Sequence, residues 1–356
     1  MALRAWADVP YLPILGMRPA EMRALEELPG QTKDALLPII PLRPWVGSHR
    51  LQSTLDRIEQ SYGDRPVVVS MGEREPSKPR PVFTELERLR ESDDGFANWC
   101  DFVEEQPNYI PAMLLGLDPA EEAAQAAQLY SLGRGLVVHI ERPAFGNMEA
   151  ISALVGAQSE SGNGVCFVID FGVASRDHLS IAALSVGYIN TILEYSPNAT
   201  VSISASSFPS SFSNLESQEI YERLLYDEIQ PNFAGGQLIY SDRGSARAEQ
   251  LSGGSGVIPA RIDYPLFNAW NFYRSEDTGF DGYVEQAGEV MASDVWNGDL
   301  RVWGTQMIER TARGDHSAID TPAKSTAARI NLHLQLQTFY GDIDTAEDTE
   351  EDWDDS

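Results

Sequence analysis

Acidic residues capable of chemistry stand at the ends of short apolar runs. Glu141, Asp170 and Asp242 each close or follow a run rich in Val, Ile or Leu. Carboxylates brought together either coordinate a hard divalent cation or separate their pKa values for general acid/base work. These three residues are therefore the candidate catalytic residues. The sequence itself identifies no cofactor, and Mg²⁺ is the ion that a metal-dependent function would need.

Arginines accompany the same runs and a later aromatic segment. The planar guanidinium matches phosphate and carboxylate groups through paired hydrogen bonds. Aromatic side chains in the later segment can line a pocket, or they can simply pack over the rest of the fold. The residues predicted to contact an anionic ligand are Arg18, Arg43, Arg142, Arg261, Arg274 and Trp270.

Each candidate also has a purely structural interpretation. Asp170 and Asp242 can stabilise loops through Asx turns, and the arginines can offset nearby carboxylates. His139 lies two residues before Glu141, so both side chains fall on one face of a strand, where a hydrogen-bonded core histidine is also expected. His333 lies in an apolar helix, where packing is expected to account for it.

Motifs that identify common enzyme classes are absent from the sequence. It contains no G-x-S-x-G, no G-x-G-x-x-G after a strand and no Walker A pattern. The glycine-rich stretch 253–256 lacks the lysine of a phosphate loop, so we interpret it as a connector.

Eight apolar runs, each followed by a longer amphipathic stretch, predict the elements that would position these residues. Such alternation is typical of βα units around a parallel sheet. The predicted strands are Tyr11–Leu15, Leu36–Leu42, Pro66–Met71, Tyr109–Leu115, Gly135–Glu141, Val165–Phe171, Ala199–Ser204 and Gln237–Tyr240.

This pattern predicts an α/β fold, specifically a (β/α)₈ TIM-like barrel over residues 1–244. A doubly wound open sheet is the alternative, because periodicity does not report closure. Residues 245–341 are expected to form an add-on of a β-hairpin and helices packed on the barrel. The last segment, 342–356, contains nine acids and no base, and is predicted to be a disordered acidic tail.

Composition restricts the class of protein. The 356 residues are 42% hydrophobic and carry a formal net charge of −28, which opposes nonspecific binding to nucleic acid or to anionic membranes. Two cysteines in unrelated segments suit a reducing cytosol. With no signal-peptide pattern and no long apolar run, we expect a cytoplasmic location.

Short motifs spread along the chain carry a family resemblance. They are Tyr11-Leu12-Pro13-Ile14-Leu15 with Arg18, Glu21 and Leu25, Leu37-Pro38-Ile39-Ile40, Asp170, Ser207-Phe208-Pro209, Ser241-Asp242 with Gly244, Ala260-Arg261-Ile262-Asp263-Tyr264, Trp270-Asn271-Phe272-Tyr273-Arg274, Gly282-Tyr283, Gly304, and Arg329-Ile330-Asn331-Leu332-His333-Leu334. In this order and spacing they resemble the phage-type "beta protein" family of phages, prophages and scattered bacterial genomes.

The resemblance runs nearly end to end and implies no established catalytic activity. Two positions depart from the family pattern. Gly16 stands where the family usually has Lys, and Pro41-Leu42-Arg43 replaces the acidic residue usual after the second strand.

Two functions remain open from the sequence, and it does not decide whether the protein is an enzyme. The first is a phage or mobile-element accessory protein that binds a protein partner or a small anionic ligand at the barrel mouth. Its acidic surface would steer a basic protein toward it. The second is a metal-assisted hydrolase of a phosphoester or nucleotide that uses Glu141, Asp170 and Asp242.

Overall fold

A computed structural model describes residues 2–74, 80–116, 118–233, 238–248 and 259–349. The stretch 253–256, interpreted above as a connector, lies outside these residues. So does the end of the predicted acidic tail, 350–356.

The strands of the described chain fall where the apolar runs are. Seven of the eight predicted segments coincide with strands, and the exception is the first, Tyr11–Leu15. The strands are β1 (Ile39–Leu42), β2 (Val67–Met71), β3 (Tyr109–Pro111), β4 (Leu136–Glu141), β5 (Val165–Val173), β6 (Thr200–Ser206), β7 (Ser217–Glu219), β8 (Leu238–Asp242), β9 (Arg261–Pro265) and β10 (Ala269–Arg274).

Helices separate most of the first eight strands and then dominate the carboxyl-terminal part. They are α1 (Pro19–Glu26), α2 (Gly30–Ala35), α3 (Gln52–Tyr62), α4 (Pro81–Leu89), α5 (Asp93–Glu104), α6 (Pro119–Ser131), α7 (Met148–Gln158), α8 (Ala182–Tyr195), α9 (Tyr221–Ile229), α10 (Phe280–Ala292), α11 (Trp303–Ala312), α12 (Pro322–Thr338) and α13 (Ile343–Glu347).

Local sequence explains where several helices begin. Pro19, Pro81, Pro119 and Pro322 open α1, α4, α6 and α12, where a missing N–H costs nothing. At α6 the carboxylate of Asp118 also accepts the N–H of Ala120 at 2.9 Å, which satisfies one free donor of the first turn.

Parallel pairing organises the central strands. One sheet has the order β1-β2-β3 and a second has the order β4-β5-β6-β8, all parallel. In the second sheet the register aligns Glu141 with Asp170, Asp170 with Ser204, and Ser204 with Ser241, so these four side chains share one face. The register therefore brings polar groups from four strands into one row.

Single parallel bridges join the edges of these sheets. Tyr11 bridges to Tyr240 of β8, Ile14 bridges to Ile39 of β1, and Ala112 bridges to Val137 of β4. The predicted first strand is thus represented by bridge residues alone. The parallel α/β class is confirmed, whereas the assigned strands form three sheets instead of the one continuous eight-stranded sheet that the sequence predicted.

Two apolar clusters lie on the two sides of these strands. The larger packs the strands against the helices and includes Leu25, Trp99 and Ile192. The smaller contains no residue of α1 to α13, and its buried residues come mainly from the strand segments: Trp6, Val9, Leu12, Ile14, Leu37, Ile39, Val68, Ile110, Ala112, Val137, Cys166, Val168 and Ile239.

The carboxyl-terminal part contains the predicted hairpin. β9 and β10 pair antiparallel, and β7 adds to β10 to give the order β7-β10-β9. Here the structure differs from the predicted tail, because residues 343–347 form α13, in which Ala346 is buried. Gln335 of α12 donates to the carbonyl of Ala346 at 2.8 Å and fixes this helix to the fold.

No helix among the described residues combines the length and the apolar character needed to cross a bilayer.

Candidate functional site

A cavity of about 760 Å³ lies at the carboxyl ends of the parallel strands. Segments that follow the bridge at Ile14 and strands β1, β2, β3, β4 and β8 all contribute to its lining. Parallel strands direct their carboxyl ends to one edge, which is where sites of such folds are built. The size is within the usual range for a small-molecule site.

Asp170 is a buried carboxylate, only 1% exposed, and its partners His139 and Arg243 line this cavity. Its Oδ2 lies 3.0 Å from Nε2 of His139 and also accepts a hydrogen bond from Arg243. Its Oδ1 accepts the N–H of Gly172 at 2.8 Å, which is the Asx-type contact that the sequence allowed. Both oxygens therefore have partners.

The surroundings of Asp170 determine its charge. Burial by itself raises the pKa of this carboxyl, but the guanidinium of Arg243 and the hydrogen bond from His139 outweigh it and lower the pKa to about 2. Asp170 is therefore ionised at neutral pH. An ionised carboxylate only accepts hydrogen bonds, so Nε2 of His139 is the donor in this contact.

Glu141 joins this pair. Nitrogen and oxygen atoms of His139, Glu141 and Asp170 lie within 4.8 Å of one another, a spacing that would allow one metal ion to bind all three. Glu141 is exposed and His139 partly exposed, and both line the cavity. The structure thus brings together two of the three predicted carboxylates and adds a histidine.

Asp242 is in a different environment, away from that group. Its carboxylate accepts the N–H of Gly244 at 2.7 Å and the hydroxyls of Tyr11 and Tyr240, the latter at 2.9 Å. Nε2 of His333 on α12 lies 2.7 Å from its Oδ2. Burial raises the pKa of Asp242, but His333 and the other donors outweigh it and lower it. These contacts agree with the structural alternative for Asp242, and its catalytic role stays a prediction.

Comparison with known proteins identifies a family for this chain. The family model described as "Beta protein" matches residues 11–339. "Protein beta" of Enterobacteria phage P4 is 30% identical over 334 residues, which cover 92% of each chain. The chain belongs to the Beta protein family. The resemblance inferred from its motifs is confirmed.

Two of the family motifs in this Beta protein member meet at the buried carboxylate of Asp242. Tyr11 opens the first motif, and its hydroxyl reaches Asp242 of the motif after β8. The two departures from the family pattern, Gly16 and Arg43, both line the cavity.

Of the arginines predicted from the sequence, two line the cavity. Arg18 precedes α1 and lies 3.5 Å from Glu21, and Arg43 follows β1 and lies 3.0 Å from Glu73. Arg142 instead donates to the carbonyls of Phe171 and Val173, and so holds the end of β5.

The remaining predicted ligand residues lie in the carboxyl-terminal part, outside this cavity's lining. Arg261 pairs with Asp263 at 2.7 Å, and Arg274 donates to the carbonyl of Phe212. Trp270 is fully buried and stacks on the ring of His333 with centroids 5.9 Å apart. These contacts agree with the packing alternative for the aromatic segment.

The sequence did not single out several cavity residues as site residues. Arg90 follows α4, lines the cavity and donates to the carbonyl of Gly72. Candidates predicted from the sequence came mainly from the ends of strands, so this residue at the end of a helix was missed. Arg243 stands directly after β8, and its contact with Asp170 on β5 depends on the pairing of strands that are distant in sequence. For His139 the signal was its two-residue spacing from Glu141.

Proposed function

We propose that this member of the Beta protein family is a phage or mobile-element accessory protein that binds a small anionic ligand in the strand-end cavity. The observation that carries the proposal is the lining of the cavity. Arg18, Arg43, Arg90 and Arg243 face one cavity in a chain whose net charge is −28. Because these arginines lie in one cavity of an otherwise acidic protein, they favour binding of a specific anion in that cavity over general attraction of anions to the protein surface.

The proposal includes a closed eight-stranded barrel as the scaffold. Three observations support closure: the bridges at Tyr11, Ile14 and Ala112, the backbone hydrogen bond from Leu12 to Tyr240 at 2.9 Å, and the apolar cluster drawn mainly from the strand segments. A cluster of this kind is what the filled interior of such a barrel contains. Closure would place every strand end on one rim around the ligand.

The electrostatics of Asp170 favour an anion over a cation. Arg243 already neutralises this carboxylate, and the same oxygen contacts His139. A metal ion would have to displace both partners and would then lie against a guanidinium. An anion would instead meet Arg43 and Arg90, two further cations of the same lining, of which Arg43 also pairs with Glu73.

Binding of inorganic phosphate tests the proposal. At low salt, about 10 mM phosphate should raise the midpoint of thermal unfolding, because a ligand that binds only the folded state stabilises it. The double variant Arg18→Gln/Arg43→Gln should lose most of this shift. The control is Arg50→Gln, which removes an exposed arginine outside the cavity lining. A wild-type protein that phosphate does not stabilise, or a double variant that responds as wild type does, would contradict the proposal.

A metal-assisted hydrolase is the second candidate function, and the grouping of His139, Glu141 and Asp170 favours it. It predicts that Mn²⁺ or Mg²⁺ raises the unfolding temperature and that Glu141→Gln removes the effect. Stabilisation by phosphate without any response to these ions would exclude this candidate and leave the first.

A cytoplasmic location is part of the proposal. Cys100 and Cys166 are both free and buried, which is compatible with a reducing compartment.

A basic protein is the alternative partner, since the acidic exterior would attract it. Such a partner would bind in a salt-dependent manner that Arg18→Gln/Arg43→Gln leaves unchanged.

A further inference from the structure

The two sides of the strand-end cavity differ in chemistry. Strand order places Arg243 after β8, Arg18 beyond the bridge at Ile14, and Arg43 after β1. The part of the lining that follows β2, β3 and β4 includes five apolar residues, Met71, Leu114, Leu115, Pro143 and Ala144, together with charged residues such as Glu73 and Arg74. A ligand with a charged end and an apolar end would match the arginines on one side and these apolar side chains on the other.

The backbone groups of the apolar wall are already hydrogen-bonded within the protein. The wall therefore presents mainly side chains to a ligand. The N–H of Leu114 is bonded to Oε1 of Gln125 at 2.6 Å, and its carbonyl accepts from the same amide at 3.1 Å. The N–H of Gly116 is bonded to Glu122 at 2.7 Å. Because these backbone groups already have partners, burial of apolar surface is the main contribution that this wall can make to binding.

Phe96 also lines the cavity, beside Gly116, and has a strained backbone conformation. It has φ +57°, a left-handed conformation that a bulky side chain rarely adopts. Its ring would lie 3.3 Å from a Cβ at position 116, so glycine there avoids a close contact. Local strain of this kind is maintained when surrounding structure fixes it, as at ligand-binding positions.

Two carboxylates lie beside the apolar wall and restrict the ligand further. Glu141 and Asp118 are both exposed and line the cavity. They would repel a second negative charge on the ligand and would accept hydrogen bonds from its hydroxyl or amino groups. The apolar end of the ligand must therefore carry hydrogen-bond donors, which a simple aliphatic or aryl phosphate lacks.

We propose that the cavity binds a nucleoside monophosphate, with the phosphate at Arg18, Arg43 and Arg243 and the base against Leu114 and Leu115. The sugar hydroxyls and the base donors face Glu141 and Asp118. This inference rests on the proposed anion-binding function and adds the class of ligand. It requires no covalent step.

Three probes of increasing size test the inference by calorimetry: inorganic phosphate, ribose 5-phosphate and AMP. AMP should bind about tenfold or more tightly than ribose 5-phosphate, because only AMP brings a base to the apolar wall. Leu115→Asn should remove most of this preference and leave phosphate binding in place. The control is Val46→Asn, which changes an apolar residue that is 65% exposed and outside the cavity lining.

Each outcome has a distinct meaning. AMP binding no more tightly than ribose 5-phosphate, with both bound, overturns the nucleotide inference and leaves the anion site intact. A preference for AMP that Leu115→Asn and Val46→Asn leave equally unchanged also overturns it, since the base would then lie elsewhere. Failure of all three probes to bind removes the anion-binding function itself.

Discussion

Arg243 donates a hydrogen bond to the carboxylate of Asp170, so the residue that follows β8 neutralises a charge on β5. The two positions are 73 residues apart in the chain and are joined through β6, which pairs with both strands. The same oxygen of Asp170 also orients His139. One buried carboxylate thus fixes a cation and an imidazole at the cavity.

The stability of the protein should depend on Asp170 in acid. The folded-state pKa of about 2 is below the usual 3.8, so this carboxylate stabilises the fold above about pH 4 and the contribution is lost as the pH falls toward 2. Asp170→Asn should therefore cost about 2 kcal/mol of unfolding free energy at pH 7 and much less near pH 2. Urea unfolding at several pH values measures this, and a loss that does not depend on pH would contradict it.

Glu222 should have the opposite effect on the pH profile. Both of its oxygens lie 3.1 Å from the N–H of Ser207, yet burial, followed by the charge of Asp242, raises its pKa to about 7. The folded state holds this proton more tightly than the unfolded state does, so stability is lost as the pH rises from 4.5 to about 7. Glu222→Gln should remove a loss of roughly 3 kcal/mol over this range. Parallel profiles for variant and wild type would show that Glu222 does not titrate there.

Asp242 should matter for folding and not for ligand binding. Asp242→Ala would leave Tyr11, Tyr240 and His333 without their buried acceptor, and should cost about 3 to 5 kcal/mol. Asp64→Ala, at an exposed acid, is the matched control. Denaturant unfolding gives the stability, and phosphate titration of the folded fraction gives the affinity. A stable Asp242→Ala variant that no longer binds phosphate would assign Asp242 to the ligand site.

Gly72 should control the position of Arg43. A Cβ at residue 72 would lie 2.6 Å from Cγ of Arg43 and 2.9 Å from the carbonyl of Leu42, so the arginine must move. Gly72→Ala should therefore weaken phosphate binding several-fold, with a loss of about 1 to 3 kcal/mol in stability from overpacking. Gly146→Ala, where a Cβ meets nothing within 4 Å, should change neither quantity. Equal phosphate affinity in both variants would exclude this role of Gly72.

The sequence was informative about the strands because apolar runs followed by amphipathic stretches leave a local periodic signal. Strand order then accounts for the meeting of Glu141 with Asp170, since β4 and β5 are neighbours in register. The partners of Asp242 leave no such signal. His333 comes from α12, and which of its helical faces meets β8 is decided by packing across the whole fold.

The arginines also show that position in the sequence does not predict where a side chain points. Arg18 and Arg43 follow strand segments and were found by position, whereas Arg142 occupies an equivalent place and turns to the carbonyls of Phe171 and Val173. Side-chain direction at a strand end depends on which backbone acceptors lie within reach. Whether the sheet closes is likewise something that a periodic pattern cannot predict, because it depends on a few bridge residues.

The hydrogen bond between His333 and Asp242 has a consequence for synthesis on the ribosome. The two residues are 91 positions apart, and Tyr11 at the start of the chain reaches the same carboxylate. A nascent chain that has just emerged as far as β8 holds a charge whose last partner has not yet been translated. The contacts around Asp242 can therefore be completed only after α12 has been synthesised. The amino-terminal segment that contains Tyr11 then reaches its final packing only late in translation.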